Sequence, residues 1–190
     1  FRRVLFRSVL SMIAGALLAN TEKLILAAVT SPAVFSHYAV AYRLAEPINL
    51  FSLGLIQSLI PAFSQLQSAE NWGRLQGLFA KSINWVILAT APVVSALIVV
   101  SEPFLKLWAG SEIGSDSVMP MCIIAAGLAF NLVTYVPYAS LVANGRTNFI
   151  AGVYFLELMP FSVAVWLLTS RLGATGAALA WSLRSILDSI

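Results

Sequence analysis

The chain has 190 residues, of which 59% are hydrophobic and only 10% are charged, with a formal net charge of +3. Soluble domains carry about 25% charged residues, so this composition excludes an ordinary soluble domain. The small net charge and the lack of a basic tract give no case for nucleic-acid binding. The single Cys122 excludes an intrachain disulfide or a cysteine metal site.

Apolar runs dominate the chain and reach the length of about 20 residues that a helix needs to cross a bilayer. They are continuous and lack the period-two alternation of outer-membrane barrel strands. The predicted segments are about 9–29, 37–61, 82–101, 118–143, 149–169 and 173–190. The sequence therefore predicts an all-α, polytopic membrane bundle with six transmembrane helices in residues 9–190.

Residues 1–8 precede the first segment and are predicted to be a cytoplasmic loop or a non-native leader. Two longer connections are predicted at 62–81 and 102–117, and the other connections are short. Lys and Arg residues favour the predicted inner loops, which places the start of the chain inside. Because the chain begins without Met and stops within an apolar run, we expect a fragment, about half of a transporter.

The first predicted hairpin carries charged residues in apolar surroundings: Glu22, Lys23, Arg43 and Glu46. A charge at mid-bilayer depth costs roughly 2.5–3.5 kcal/mol or more, so it normally faces the protein interior and has a partner or a task. Glu22 and Arg43 lie ten residues before and eleven after Pro32. Both should therefore sit about 15 Å down antiparallel helices, where they could meet.

The last predicted hairpin repeats this arrangement. Glu157 lies fourteen residues before Arg171, and Arg184 lies thirteen after it. Both are expected near the bilayer midplane on antiparallel neighbours. One interpretation is that each acid–base pair only holds the two helices of its hairpin together. The other is that both pairs belong to a polar cavity.

In the cavity interpretation, three cations bind an anionic substrate: Lys23, Arg43 and Arg184. Arg suits bidentate phosphate contacts, and Lys acts as a point charge. The carboxylates could take up a proton or bind a cation during transport: Glu22, Glu46 and Glu157. Glu46 could instead neutralise Arg43, three residues earlier on the same helix.

Other polar residues could line a water-filled path or hold helices together: Asn49, Gln57, Asn131, Tyr135 and Tyr138. His37 is expected to be solvated near a membrane face, without a partner. No metalloprotease motif, P-loop or nucleotide fingerprint is present, and no Ser/His/Asp triad is visible. The sequence predicts a protein that is not an enzyme and needs no cofactor or metal.

The run from Tyr38 to Leu66 resembles the eighth helix of the multidrug/oligosaccharidyl-lipid/polysaccharide flippase superfamily. In that helix a Tyr followed by small residues and a Leu leads to a Pro-x-x-Ser end. The matching residues here are Tyr38, Ala41, Leu44, Pro61 and Ser64. Glu22 stands where the preceding helix of the family often carries an acid.

Three later stretches also resemble junctions of that superfamily, in the right order: FLKLWAG at 104–110, LVANGRTNF at 141–149 and GATGAALAW at 173–181. The chain departs from the pattern at Ser36, where Gly is common, and at Glu22, where the acid is commonly Asp. The branch that it resembles is the bacterial polysaccharide-unit exporters.

The resemblance implies the C-terminal lobe of a MATE-like transporter that has two six-helix lobes around a central cavity. It implies ion-driven flipping of an undecaprenyl-diphosphate-linked oligosaccharide across the bacterial inner membrane. The implied partners are this lipid-linked substrate, the bilayer and an N-terminal lobe.

Four other functions stay open at this point. Within the superfamily, the alternatives are a multidrug or cation antiporter and a peptidoglycan-precursor flippase. An antiporter for cationic drugs should have a cavity dominated by acids, which three intramembrane cations disfavour. The others are a membrane glycosyl-polymerase or ligase, which usually needs a larger external loop than 102–117, and a structural membrane subunit.

Overall fold

A computed structural model describes residues 2–189, with side chains for residue 13 and for residues 15–50 and 54–189. These residues form helices and no strand, which confirms the all-α prediction. In chain order the elements are α1 (Arg2–Val29), α2 (Pro32–Ala45), the 3-10 helix η1 (Glu46–Asn49), α3 (Leu50–Ser68), α4 (Trp72–Ala109), α5 (Ser111–Ala143) and α6 (Thr147–Asp188). The side chains of residues 2–12 lie outside the description, so the native or non-native origin of residues 1–8 stays a prediction.

The predicted segment 37–61 is divided between two helices. α2 starts earlier than predicted, because the Ser31 hydroxyl accepts a hydrogen bond from the Val34 amide at 3.4 Å and Pro32 occupies the first turn. Pro47 then lies in η1, where its missing N–H and fixed φ favour a local change from α to 3-10 geometry. The result is a continuous helical stretch with a change of geometry at 46–49.

The two long connections predicted at 62–81 and 102–117 are wrong. α3 runs to Ser68, the Asn71 side chain accepts a hydrogen bond from the Arg74 amide as α4 begins, and only Gly110, at φ 86°, separates α4 from α5. The 38 residues of α4 give a length of about 57 Å, beyond the apolar core of about 30 Å. Polar residues are thus part of these helices outside the apolar span that hydropathy detects.

α6 is a hairpin with two arms, residues 147–172 and 174–188, that meet at Gly173. Gly173 has φ 57° and ψ −132°, a conformation that glycine adopts without steric cost. A Cβ on Gly176 would overlap the Leu168 carbonyl, so the second arm folds back closely against the first. The predicted segments 149–169 and 173–190 correspond to these arms.

Four helical stretches among the described residues are long and apolar enough to span a membrane: Pro32–Ser68, Trp72–Ala109, Ser111–Ala143 and Thr147–Asp188. Together with the composition, they indicate a multi-pass membrane protein. The prediction of six separate spanning helices is not confirmed, because α6 contains two predicted segments and α1 is not among these four stretches.

α5 lies at the centre of the bundle, in contact with α2, α3, α4 and α6, while α1 packs against α6. The approach of α5 to the second arm of α6 is especially close. The Ser182 hydroxyl donates to the Ile123 carbonyl at 2.8 Å, and Gly127 leaves no room for a Cβ beside Ser182. Small residues at this contact let two helices approach closely, as in membrane bundles generally. This packing holds the second arm of α6 against α5.

Candidate functional site

Glu157 and Arg184, predicted at similar depths on antiparallel neighbours, are in contact. Arg184 Nε lies 3.4 Å from Glu157 Oε2, although the two residues would be about 40 Å apart on a straight helix. Arg184 Nη2 also lies 3.5 Å from Asp188 Oδ2, and the guanidinium lies 5.1 Å from the Phe161 ring centroid. We call Glu157, Arg184 and Asp188 the charged triad. One cation between two carboxylates gives it a charge of −1 when all three are ionised.

Glu22 and Arg43, which their predicted depths would allow to meet, are not paired, because each residue has a different partner. Lys23 Nζ lies 3.9 Å from Glu22 Oε1, and Arg43 Nη1 lies 3.6 Å from Glu46 Oε2. The Arg43 side chain is 80% exposed. The reason is rotation about α2, where successive residues turn by about 100°.

Tyr42 is the residue of α2 that faces Lys23. The Lys23 ammonium lies 3.9 Å from the centroid of the Tyr42 ring, within cation–π distance. Since Tyr42 points towards α1, the next residue, Arg43, is turned away from it. Equal depth in the membrane was therefore not sufficient to bring Glu22 and Arg43 together.

Glu22 is the most deeply buried charged residue of this site. Its side chain is fully buried, and neither carboxylate oxygen has a hydrogen-bond partner among the described residues. Lys23 is a neighbour at ion-pair distance but beyond hydrogen-bonding distance. A buried carboxylate with unfilled acceptor positions is suited to take a proton or a cation, because either would offset its cost of desolvation.

A cavity of about 300 Å³ lies beside this cluster, and we call it the cationic cavity. Its lining includes Lys23, Tyr38, Tyr42, Arg43 and Glu46. Two cations and one carboxylate line it, and Glu22 lies 3.9 Å from Lys23. The cavity therefore has an excess charge of +1 when Glu22 is neutral, and none when all four groups are ionised.

A larger cavity of about 460 Å³ lies between α1, α2, α3, α5 and α6, and we call it the tyrosine cavity. Its lining contains the charged triad together with four tyrosines: Tyr42, Tyr135, Tyr138 and Tyr154. Trp181, Asn49 and Asn131 also line it, whereas Gln57 lines neither cavity. Tyr42 lines both cavities, so the two are neighbours that share this aromatic side chain.

His37, expected to be without a partner, lies 3.9 Å from Asp116, measured between Nε2 and Oδ2. The prediction was wrong because residues 102–117 were taken as a loop. Asp116 instead lies in the first turns of α5, next to α2. The two side chains lie in the first turns of these helices, outside both cavities.

Four residues that contribute to these cavities were missed by sequence reasoning: Tyr42, Tyr154, Trp181 and Asp188. A signal existed for all four in helical spacing. Tyr154 and Trp181 each lie three residues before a member of the triad, and Asp188 lies four after Arg184, positions that share one face of a helix. Tyr42 likewise lies four residues before Glu46.

The described part of the chain contains no group of three or more His, Cys, Asp or Glu residues that could hold a metal ion. The two cavities instead offer aromatic rings, amides and single charges. These groups are suited to binding an organic ion or a polar molecule with apolar faces.

Comparison with known proteins gives two similarities. Residues 5–115 match the profile of a family described as "Polysaccharide biosynthesis protein". Over 153 residues, or 80% of the chain, the sequence is 26% identical to a Shigella flexneri protein named "Putative O-antigen transporter". The chain spans only 37% of the length of that relative. No solved structure matches the chain.

Proposed function

Because the chain belongs to the family of polysaccharide biosynthesis proteins, we propose that it is part of a transporter for lipid-linked oligosaccharide units. The units would be carried on undecaprenyl diphosphate and flipped across the bacterial inner membrane, to supply O-antigen, capsule or exopolysaccharide. The apolar helices support this proposal, as does the name of the Shigella flexneri relative. We expect no enzymatic step and no cofactor.

The observation that carries the proposal is the cationic cavity. A diphosphate needs positive charge and hydrogen-bond donors, which Lys23 and Arg43 supply once Glu22 is neutral, since Glu46 alone cannot offset both cations. Arg184 is less suited to this task, since Glu157 and Asp188 already flank it. We therefore assign the diphosphate to Lys23 and Arg43, and we assign Arg184 to holding the two carboxylates of the triad.

Glu22 is the proposed site of ion coupling. It lies 3.9 Å from Lys23 and has unfilled acceptor positions. When a proton or a cation neutralises Glu22, Lys23 loses an attractive partner and its charge becomes available to the diphosphate. When the ion leaves, Glu22 competes for Lys23 and the anion is released. Ion binding and substrate binding would thus be coupled through Lys23.

A second lobe completes the proposed transporter. The resemblance to two-lobe flippases and the 37% coverage of the relative leave room for an N-terminal lobe. In the proposed arrangement that lobe faces both cavities and encloses the substrate between the lobes.

The test uses the intact gene that encodes this chain, with Lys23→Gln and Arg43→Gln singly and together. The matched control is Arg171→Gln, an exposed cation that lines neither cavity. In a deletion strain, we expect the double variant to lose at least 90% of surface polysaccharide, about tenfold, as expected for the loss of charge-assisted phosphate contacts. Lipid-linked units should accumulate on the inner side, while the amount of membrane-inserted protein stays unchanged. Full export by the double variant would refute the anion site.

A multidrug or cation antiporter is the second candidate, and a specific observation favours it. The triad gives the tyrosine cavity a charge of −1, and an acidic, aromatic cavity suits an organic cation. The same deletion strain separates the two candidates. A strain that exports polysaccharide normally but becomes sensitive to cationic dyes would support the antiporter and exclude the flippase.

A further inference from the structure

The tyrosine cavity concentrates polar aromatic residues to an unusual degree. The chain contains five tyrosines, and four of them line this one cavity. They come from α2, α5 and the first arm of α6, and Trp181 adds a ring from the second arm. Rings from four helical segments therefore converge on one volume of about 460 Å³.

The hydroxyls of these tyrosines do not form hydrogen bonds with other described residues. Among the described residues, the hydroxyls of Tyr42, Tyr135, Tyr138 and Tyr154 have no hydrogen-bond partner, and none of them is among the fully buried polar atoms without a partner. Their rings are only partly buried, and two pairs are already in edge-to-face contact: Tyr42 with Trp181 and Tyr135 with Tyr138. The cavity thus presents fixed rings together with available donors and acceptors.

We propose that the tyrosine cavity is a binding subsite for the sugar rings of the transported unit, an inference that rests on the proposed function. A sugar ring has an apolar C–H face and a rim of hydroxyl groups. Aromatic rings can cover the face, while tyrosine hydroxyls, the Asn131 amide and the carboxylates of the triad can bond the rim. A volume of about 460 Å³ lies within the range of sites for small molecules, and so of a short piece of oligosaccharide.

The charges of the two cavities determine which part of the substrate each one takes. When Glu22 is neutral and the triad is ionised, the cationic cavity has a charge of +1 and the tyrosine cavity has a charge of −1. A diphosphate is repelled by the second and attracted by the first. Because Tyr42 lines both, a molecule with its phosphates at Lys23 and Arg43 can reach the tyrosine cavity with the first sugars. The same charge predicts a preference for neutral sugars or amino sugars over uronic acids.

The test measures binding to the intact protein in lipid nanodiscs, with tryptophan fluorescence as the signal because Trp181 lines the cavity. The probes are the neutral oligosaccharide repeat released from the host's own polysaccharide, a uronic-acid disaccharide, and pyrophosphate. We expect a saturable signal with the neutral oligosaccharide, which Trp181→Phe removes, and binding of the acidic disaccharide about tenfold weaker or more. Equal binding of the two sugars would overturn the charge preference.

The variants separate rings from hydroxyls. Tyr135→Leu and Tyr154→Leu should each weaken oligosaccharide binding about two- to tenfold, as expected for the loss of one aromatic contact, whereas Tyr135→Phe should weaken it less. Trp166→Leu, on the exposed outer face, is the matched control and should bind as wild type. Pyrophosphate binding should not change in any of them. Wild-type oligosaccharide binding by both leucine variants would overturn the subsite.

The two proposals can fail separately. A protein that still exports polysaccharide while both leucine variants bind and transport normally would overturn the subsite and keep the flippase. A protein that exports no polysaccharide but binds the neutral oligosaccharide through Tyr135 and Tyr154 would support the subsite and refute the flippase.

Discussion

Removal of Arg184 should destabilise the protein through the carboxylates that it leaves behind. In Arg184→Gln, Glu157 and Asp188 lose their cation, and the charge of the triad changes from −1 to −2. Breaking a fully buried ion pair from one side costs about 3–5 kcal/mol. Here the Arg184 side chain is 17% exposed, and the two contacts are long, at 3.4 and 3.5 Å. We therefore expect the lower end, about 3 kcal/mol, measured from unfolding of the intact protein in mixed micelles of increasing denaturing detergent.

The rescue is the decisive part of this prediction. Arg184→Gln with Glu157→Gln restores a charge of −1, and the further change Asp188→Asn gives zero. Stability should return stepwise towards wild type in this series, since each step removes an uncompensated charge. If Arg184→Gln alone is as stable as wild type, or if Glu157→Gln does not rescue it, then the triad is not the unit described here.

Two further predictions concern the hinge of α6 and the buried acid. Gly173→Ala should lower the free energy of unfolding by about 1–2 kcal/mol. The φ of 57° disfavours a Cβ at this position, and Val34 lies 3.1 Å from where that Cβ would be. The control is Gly152→Ala, in open space on the first arm, which should be neutral or stabilising by about 0.5–1 kcal/mol. Equal effects of the two would refute a special role for Gly173. Glu22→Gln should abolish the response of export to a collapsed proton or sodium gradient, while pyrophosphate should still bind. The measurement is export of polysaccharide with and without an ionophore. If the variant still responds to the ionophore, Glu22 is not the coupling residue.

The class of fold and one of the two charged pairs could be predicted from the sequence, for physical reasons. Long apolar runs with few charges are stable as membrane helices because only there are their backbone groups satisfied without water. Glu157 and Arg184 were predictable because they lie at similar distances from a turn, and the hairpin at Gly173 is tight enough to bring equal depths into contact. For this pair, equal depth in the membrane was sufficient to bring the two side chains together.

Depth was not sufficient for Glu22 and Arg43, since contact also requires the correct rotation of each helix. Hydrophobic periodicity could not fix that rotation in α2, where apolar residues occur on every face. The neighbouring Tyr42 occupies the position facing α1, and it is an aromatic partner of Lys23 rather than an acidic one. A search of the sequence for acid–base pairs does not find a cation–π contact, because the aromatic partner has no charge.

The missed contact of His37 has a different cause. Hydropathy detects where a helix is apolar, not where it ends, so the polar start of α5 was read as a loop. A helix that begins at Ser111 places Asp116 at a fixed position beside α2. Capping residues such as Asn71 and glycines such as Gly110 determine where these helices end. Hydropathy averaged over a short stretch of sequence does not take these residues into account.

The arrangement of charge in the two cavities bears directly on the choice between an anionic and a cationic substrate. Three intramembrane cations in the sequence suggested one positive cavity, but Arg184 is offset by Glu157 and Asp188 and contributes no excess charge. Lys23 and Arg43 remain in the smaller cavity, where they carry an excess charge once Glu22 is neutral. The larger cavity beside it is aromatic, and it is negative when its triad is ionised. A purely cationic drug would fit only the second cavity, and a free phosphate only the first. The proposed substrate, a diphosphate joined to sugars, has one part suited to each cavity, and the two linings share Tyr42.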